Sequence, residues 1–278
     1  MQVLHETVDA ALGLLAGRPL VALTGAGLST DSGIPDYRGP DSPRRTPMTY
    51  QEFVSGPVPQ RRYWARSHVG WARMAHAEPN AGHRALVELE RTGRLRGVIT
   101  QNVDGLHGAA GQRTVVDLHG RIDVVICLGC RRTGSRARLQ ERLTALNPGF
   151  VESAGEAIEA APDGDAVLEA TDNFHTAPCL DCGGVLKPDV VFFGENVPKE
   201  RVTRSYALVD EIGAAGGALL VAGSSLTVMS GLRFVRHAAK AGTPVVIVNR
   251  GETRGDPQAT LRVDAGCSET LEQLAAHL

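Results

Sequence analysis

A strand that runs into a glycine-rich turn is the feature that most constrains how this chain can fold. The apolar run at residues 19–23 leads directly into Thr24-Gly25-Ala26-Gly27. Because glycine has no Cβ, a turn of this kind lets backbone N–H groups approach a phosphate closely. Such turns follow the first strand of Rossmann-like folds. The sequence therefore predicts an α/β chain that binds a nucleotide.

The turn departs from the usual fingerprint of dinucleotide-dependent dehydrogenases. That fingerprint has a third glycine where this chain has Thr30, and an acidic residue about 20 positions further on, near Arg44 and Arg45. The stretch instead continues through several hydroxyl side chains to Asp36 and Arg38. A hydride-transfer dehydrogenase is therefore disfavoured.

Short apolar runs recur along the chain, with helical stretches between them. They lie at residues 19–23, 98–100, 115–116, 190–192, 218–221 and 244–248. A helical pattern over residues 3–16 precedes the first run, and a helix over 231–241 is expected between the last two. Runs that are apolar on both faces are typical of buried parallel strands. We therefore predict a doubly wound parallel sheet of the Rossmann-like type.

Two Cys-x-x-Cys pairs predict a metal site. They are Cys127 with Cys130, and Cys179 with Cys182. Four thiolates form a closed tetrahedral zinc site, which holds a small module together and leaves no position for a catalytic water. Disulfides or a redox pair are the alternatives, and both are disfavoured because the N-terminal residues lack the pattern of a secretory signal.

Charge and hydropathy bear on the partners of the chain. The formal net charge of −2 gives no overall field that would attract nucleic acid. The basic cluster of Arg131, Arg132, Arg136 and Arg138 is expected to face solvent, with phosphate recognition by a zinc ribbon as the alternative. No apolar run approaches the roughly 20 residues that cross a bilayer. We expect a cytoplasmic protein with no membrane partner and with nucleic acid an unlikely one.

The chain is long for one domain, since single domains usually have about 100 to 200 residues. Two segments interrupt the rhythm of strands and helices: one is rich in proline and carries both tryptophans, and the other carries four of the five cysteines. We expect a Rossmann-like core at residues 1–40, 78–120 and 185–278. A helical insertion at 41–77 should line the cleft, and a small zinc-binding module should occupy 121–184.

The stretch from Thr24 to Arg38 resembles the cofactor loop of the sirtuins, the NAD-dependent protein lysine deacylases. Further strings match that family in the same order along the chain, from about residue 18 to the C-terminus. They are Gln101-Asn102-Val103-Asp104, Leu118-His119-Gly120, the segment 187–195, Gly223-Ser224-Ser225-Leu226 and Val248-Asn249-Arg250. The segment Arg62-Tyr63-Trp64-Ala65-Arg66 is similar to the class II branch of the family.

The resemblance implies an NAD-dependent protein lysine deacetylase or deacylase, with acetyl as the default acyl group. Its partners would be proteins that carry acyl-lysine. The acyl group would be transferred to ADP-ribose with release of nicotinamide, so NAD would be a consumed co-substrate beside one structural zinc ion. Mono-ADP-ribosyl transfer to a protein on the same scaffold, and an NAD-sensing module without turnover, are the alternatives.

The resemblance also implies the roles of particular residues. His119 would be the general base, since imidazole can accept a proton at neutral pH. Asn102 and Asp104 would hold the nicotinamide end of NAD. The NAD pocket would comprise Gly25, Ala26, Gly27, Ser29, Asp36, Tyr37, Arg38, Gln101, Asn102, Val103, Asp104, Gly223, Ser224, Ser225, Asn249, Arg250, Gly251 and Cys267.

Two sets of residues are implied to bind the substrate. The first set would pair with the substrate main chain as an added strand, and comprises Val191, Phe193, Gly194, Glu195 and Val228. Next to it, Ser230 stands where many family members have proline. The second set is Tyr63 and Arg66, which lie on one face of a helix at this spacing. They would hold the carboxylate of an acidic acyl chain, or alternatively form an aromatic packing site with a solvent-exposed arginine.

Overall fold

The computed structural model describes residues 2–36, 47–154, 168 and 171–278. The strands, in chain order, are β1 (Leu20–Thr24), β2 (Leu95–Thr100), β3 (Val115–Asp117), β4 (Gly120–Cys127), β5 (Thr133–Ser135), β6 (Leu186–Val190), β7 (Ala218–Ala222), β8 (Val245–Val248) and β9 (Leu261–Val263). The helices are α1 (Gln2–Leu15), α2 (Tyr50–Val54), α3 (Pro57–His76), α4 (Ala81–Arg91), α5 (Leu106–Ala110), α6 (Arg136–Leu146), α7 (Phe150–Ala154), α8 (Lys199–Ala214), α9 (Met229–Lys240) and α10 (Cys267–His277).

The larger sheet has six parallel strands in the order β3-β2-β1-β7-β8-β9. From β1 the sheet extends in one direction through β2 and β3. The chain then crosses to the other side of β1, where β7, β8 and β9 extend the sheet in the opposite direction. Ligands of such sheets bind beyond the carboxyl ends of the strands, at the point where the order reverses. The predicted doubly wound Rossmann-like sheet is confirmed, and the point of reversal lies between β1 and β7.

Helices cover both faces of this sheet because its strands are apolar on both. In β1, Leu20 and Ala22 pack with α1, α4 and α10, whereas Val21 and Leu23 pack with α8 and α9. All four side chains are fully buried. The alternation follows from the two-residue period of a strand. A sheet enclosed in this way can present functional groups only at its ends.

The smaller sheet is antiparallel, with three strands in the order β5-β4-β6. The apolar run at residues 190–192 was expected in the parallel sheet, and that expectation is wrong. Val190 ends β6 and pairs with Gly120 of β4. An apolar run alone does not identify its partner strand, which here is supplied by the segment that follows β3. The small sheet also takes in β6, which lies beyond the limit predicted for the zinc-binding module.

The insertion between β1 and β2 packs against the small sheet. Helix α3 contributes Tyr63 and Trp64 to a core cluster that also contains Leu139 and Leu143 of α6 and Phe192. The insertion and the zinc-binding module therefore share one hydrophobic core.

Arg136, expected in a solvent-exposed basic cluster, is instead fully buried. Its guanidinium carbon lies 5.3 Å from the ring centre of Trp64 and 4.7 Å from that of Trp71. Burial lowers the pKa of Arg136 to about 10, so the side chain stays charged at neutral pH. Stacking on the two indoles and hydrogen bonds to the Ser67 carbonyl and Gln140 stabilise this cation.

Within the part of the chain that the structure describes, no helix combines the length and apolar character needed to cross a membrane.

Candidate active site

Two glycine turns cross at the point where the sheet order reverses. The amide of Gly27, after β1, donates to the carbonyl of Gly223, after β7, at 2.8 Å. A Cβ on Gly223 would lie 2.3 Å from the backbone nitrogen of Leu28, and Gly223 has a φ of +66°. On the other turn, a Cβ on Gly25 would lie 2.7 Å from the Gly223 carbonyl oxygen, and a Cβ on Gly27 would lie 3.0 Å from the same atom. The close approach of the two turns therefore explains the glycines on both.

A cavity of about 410 Å³ opens beside these turns and extends toward the small sheet. It brings together most of the residues that the sequence proposed for NAD, catalysis and substrate. Those that line it are Gly25, Ala26, Gly27, Ser29, Asp36, Tyr63, Gln101, Asn102, Val103, Asp104, His119, Val191, Phe193, Gly194, Glu195, Gly223, Ser224, Ser225, Val228, Asn249 and Arg250.

Some proposed residues lie elsewhere. Gly251, Cys267 and Arg66 are not among the residues that line the cavity in the described part of the chain. The thiol of Cys267 is buried beside the carbonyl of Val248, and burial raises its pKa to about 12. Tyr37 and Arg38 lie outside the described residues.

The cavity also contains residues to which the motifs assigned no role. They are Ile34, Met48, Asn196, Val197, Arg233 and Glu252. Arg233 lies one helical turn after Ser230 on α9, and a helical projection from the strand-to-helix junction could have found it. Met48 lies in an insertion with no recognisable pattern, and only the fold brings it to the cavity.

A chain of hydrogen bonds fixes the polar floor of the cavity. The side-chain nitrogen Nδ2 of Asn102 donates to the Gly25 carbonyl and to Ser29 Oγ, both at 3.0 Å. Ser29 Oγ in turn donates to Asp104 Oδ2 at 2.8 Å, and the Leu106 amide donates to Asp104 Oδ1 at 2.9 Å. The loop after β2 is therefore tied to the glycine turn after β1.

The carboxyl group of Asp104 has a perturbed protonation equilibrium. Burial raises its pKa, and the hydrogen bonds from Leu106 and Ser29, together with the nearby charge of Arg121, partly offset that effect. Each carboxylate oxygen of Asp104 accepts one of these hydrogen bonds and keeps a lone pair, and the residue lines the cavity, so it can also accept from a ligand amide.

The imidazole of His119 lies two residues after β3 and has a defined tautomer. Its Nδ1 lies 2.8 Å from the carbonyl oxygen of Gln101, which can only accept, so Nδ1 carries the proton. The other nitrogen, Nε2, is then an acceptor and lies 2.8 Å from Ser230 Oγ. Burial lowers the pKa of His119, against the effect of the Gln101 carbonyl and with a contribution from Arg201. The ring is therefore neutral near pH 7 and can accept a proton at Nε2.

A buried ion pair fixes the turn at the other wall of the cavity. Lys187 Nζ lies 2.9 Å from Glu195 Oε2, and the lysine side chain is only 3% exposed. The same carboxylate accepts from the Phe192 amide at 2.9 Å. Phe193 forms an isolated parallel bridge with Thr49, just before α2. The turn after β6 is thus held from both sides, with its backbone at the cavity edge.

The four cysteines of the two pairs converge at one end of the small sheet. Their sulfur atoms all lie within 4.8 Å of one another, with 3.5 Å between Cys127 and Cys182 and 3.8 Å between Cys130 and Cys179. Sulfurs at the corners of a zinc tetrahedron lie about 3.8 Å apart, given a Zn–S distance of about 2.3 Å. The set therefore fits a structural zinc ion.

The chain matches a known family model and named proteins. The model of the Sir2 family matches residues 25–230. A protein named NAD-dependent protein deacetylase 1 from Mycobacterium avium (strain 104) is 58% identical over 269 residues, covering 96% of this chain and 94% of that protein. Its namesake from Streptomyces coelicolor is 55% identical over 277 residues, covering 98% and 90%.

Solved structures show the same likeness. A chain described as a Sir2 complex with a p53 peptide and NAD+ is 31% identical to this one, with a TM-score of 0.74 and 96% of each chain covered. A chain from work on the mechanism and regulation of Sir2 enzymes is 29% identical, with a TM-score of 0.77 and 98% of each covered.

Proposed function

The chain belongs to the Sir2 family and is an NAD-dependent protein deacetylase, and from this premise we propose how its own residues perform the reaction. The single observation that carries the proposal is the shared cavity. A neutral imidazole with an acceptor nitrogen lies there beside the Ser29–Asn102–Asp104 chain of hydrogen bonds.

The glycine turns would bind the diphosphate of NAD. Gly25, Ala26 and Gly27 present backbone with little or no side chain at the end of β1. At the end of β7, Gly223 presents bare backbone, and Ser224 and Ser225 add hydroxyl groups. Backbone amides and hydroxyls at the end of a strand are suitable donors to phosphate oxygens. The remaining proposed NAD contacts are Asp36, Gln101, Asn249 and Arg250, together with Gly251 and Cys267 outside the cavity lining and Tyr37 and Arg38 outside the described residues.

Asn102 and Asp104 would hold the nicotinamide end. Asp104 would accept from the carboxamide, and Val103 would supply an apolar wall. NAD, when bound, offers its ribose C1′ for attack by the acyl oxygen of lysine. Fixed partners on Asn102 and Asp104 support a role in orientation, since a preorganised site need not reorganise during reaction.

His119 would act as the general base. Its Nε2 would accept a proton from a ribose hydroxyl, which its neutral state near pH 7 allows. The Gln101 carbonyl would keep the accepting nitrogen directed to the cleft by holding the proton on Nδ1.

The substrate would bind as an extended segment between the turn after β6 and Val228. Val191, Phe193, Gly194 and Glu195 line that side of the cavity, and Phe193 is 38% exposed. Main-chain pairing reads few side chains, so we propose broad selectivity among flexible segments that carry acyl-lysine. The four-cysteine zinc site lies apart from the cavity lining and has a structural role.

We further propose the branch of the family, the location of the protein and its lack of a main nucleic-acid partner from sequence features. The Arg62–Arg66 segment favours the class II-like branch. A set of four reduced thiolates suits a cytoplasmic location, where disulfides are rare. The net charge of −2 disfavours nucleic acid as a main partner.

The test is an incubation of the purified protein with NAD and peptides that carry acetyl-, succinyl-, glutaryl- or branched-acyl-lysine. Peptide mass and nicotinamide release are followed together. We expect loss of the acyl mass matched by nicotinamide release. His119→Ala should abolish both, and His277→Ala, an exposed histidine at the end of α10, should leave both unchanged.

Other outcomes distinguish the alternatives. A gain of ADP-ribose mass on a protein, without loss of an acyl group, would indicate mono-ADP-ribosyl transfer. NAD binding without any turnover would indicate a sensor module.

A further inference from the structure

The hydroxyl of Ser230 occupies the accepting nitrogen of His119. The two atoms lie 2.8 Å apart. Because the proton of the neutral ring is on Nδ1, the Ser230 hydroxyl must be the donor and Nε2 the acceptor. The lone pair that is needed to accept a substrate proton is therefore already hydrogen-bonded before any substrate binds.

Both partners of the ring are positioned by one contact between the two halves of the sheet. Ser230 is the second residue of α9, directly before Gly231. A Cβ on Gly231 would lie 2.5 Å from the side-chain oxygen of Gln101. The start of α9 thus packs on the residue whose carbonyl accepts from Nδ1. His119 is held between a carbonyl after β2 and a hydroxyl on α9, and the distance between them is fixed by packing.

We propose that Ser230 is a positioning residue for deacetylation, which holds the His119 ring with Nε2 directed to the cleft and yields that lone pair to the ribose hydroxyl. The inference rests on the proposed role of His119 as the base. No proton is transferred to or from serine: its O–H turns away, and the ribose O–H replaces it as the donor to Nε2. The proton then moves from the ribose oxygen to Nε2.

The proposal has a consequence for titration of the ring. The Ser230 hydroxyl donates to Nε2 of the neutral ring, and after rotation its oxygen can accept from Nε2–H of the protonated ring. The hydrogen bond to the charged ring is the stronger of the two, so the hydroxyl favours imidazolium. Arg201 on α8 is the charged group that acts on the ring, and Arg233 on α9 and Asp104 after β2 line the same cavity. These stay in place when only the hydroxyl of Ser230 is removed. Its removal should therefore lower the pKa of His119 further.

The experiment is an NMR titration of the His119 ring in the full-length protein without NAD. Wild type is compared with Ser230→Ala, Ser230→Pro and Ser230→Thr, and His119→Gln identifies the resonance. Alanine is a good helix former, and proline is tolerated in the first turn of a helix. We expect both variants without a hydroxyl to titrate roughly half to one pH unit lower than wild type, and threonine to restore the wild-type value. The acid limb of kcat/KM for NAD should move by the same amount.

The inference is overturned if both folded variants without a hydroxyl titrate like wild type. That result would leave the proposed function intact, provided that His119→Ala is inactive. Conversely, an active His119→Ala enzyme would refute the role of the base whatever Ser230 does, so the two failures can be told apart.

Discussion

At the scale of single residues, the state of His119 depends on opposing effects on one ring. Burial disfavours the imidazolium, whereas the Gln101 carbonyl favours it. The first effect is the larger, so the pKa of His119 lies below its ordinary value of 6.5.

This direction leads to a prediction about pH. The base must be neutral to accept a proton, so activity is lost as the pH falls through the pKa of His119. We expect the acid limb of kcat/KM for NAD to lie below pH 6.5. The profile is measured with a saturating acetyl-lysine peptide. An acid limb clearly above pH 6.5 would contradict the burial of the ring.

The crossing of the glycine turns gives a second prediction. Gly216 and Gly223 have nearly the same backbone conformation, with φ values of +67° and +66°, but only Gly223 is crowded by neighbouring backbone. Gly216→Ala should lower the free energy of unfolding by about 1 kcal/mol through backbone strain alone. Gly223→Ala should cost about 3 kcal/mol or more and should also weaken NAD binding.

Urea unfolding and calorimetric titration with NAD measure the two effects. Gly216→Ala is the matched control, since it adds the same methyl group in the same conformation. An equal loss in the free energy of unfolding for the two variants would show that the contact between the two glycine turns does not require glycine at position 223.

A third prediction concerns the acyl group. Tyr63 lines the cavity, but Arg66 is not among the described residues that do so. We therefore expect Arg66→Met to leave the ratio of succinyl-lysine to acetyl-lysine turnover unchanged. Peptide mass measured for both substrates gives the ratio. A selective loss of succinyl-lysine turnover would instead support the interpretation that Arg66 holds an acidic acyl chain.

At the scale of elements, the turn after β6 depends on a buried lysine within β6, an edge strand of the small sheet. Lys187 is buried and reaches Glu195, which in turn holds the Phe192 amide. Burial lowers the pKa of Lys187, and Glu195 opposes that effect. The pair therefore shapes the edge on which the substrate segment is proposed to lie.

Lys187→Met should release this turn. We expect the KM for the acetyl-lysine peptide to rise about tenfold, as when a hydrogen bond to a charged group worth about 1.4 kcal/mol is lost. The Kd for NAD should stay within about twofold. Lys199→Met, an exposed lysine at the start of α8, is the matched control. Equal effects on peptide and NAD would indicate general damage to the fold.

The sequence predicted the strands and their pairing correctly where an apolar run identifies the strand and the neighbouring helices identify its partner. The strands β1, β7 and β8 are almost entirely apolar, as is the second half of β2, and their parallel pairing follows from the helices between them. The run at residues 190–192 has the same appearance, yet its strand pairs antiparallel with β4. Its partner is set by a tertiary contact, which hydrophobicity does not encode.

At the scale of the whole molecule, zinc should determine the integrity of the smaller module. We expect one zinc ion per chain by metal analysis. Cys130→Ser should lose the metal and lower the Tm, because four thiolates close the site and Cys130 is one of them. Cys267→Ser, which changes a buried cysteine outside the cluster, should retain the zinc. A zinc-free wild-type protein with an unchanged Tm would contradict a structural metal.

Contiguous motifs account for most of the candidate site, since each strand delivers its polar residues at one end of the sheet. Contacts between distant segments could not be predicted in this way. Ser230 was noted only as a departure from proline, and its bond to His119 becomes visible when α9 packs on Gln101. Arg136 was expected in solvent, and only the fold shows two tryptophans from another insertion around it.

The position of Arg136 has a consequence for how this protein can be altered or recombined. Its cation belongs to the module with the zinc site, whereas the indoles that shield it belong to the helical insertion. A chimera that received only one of these parts from a relative would leave a bare charge in an apolar core, or two aromatic rings facing a gap. The helical insertion and the zinc-binding module therefore depend on each other for stability, and a chimera that exchanges one of them must exchange both.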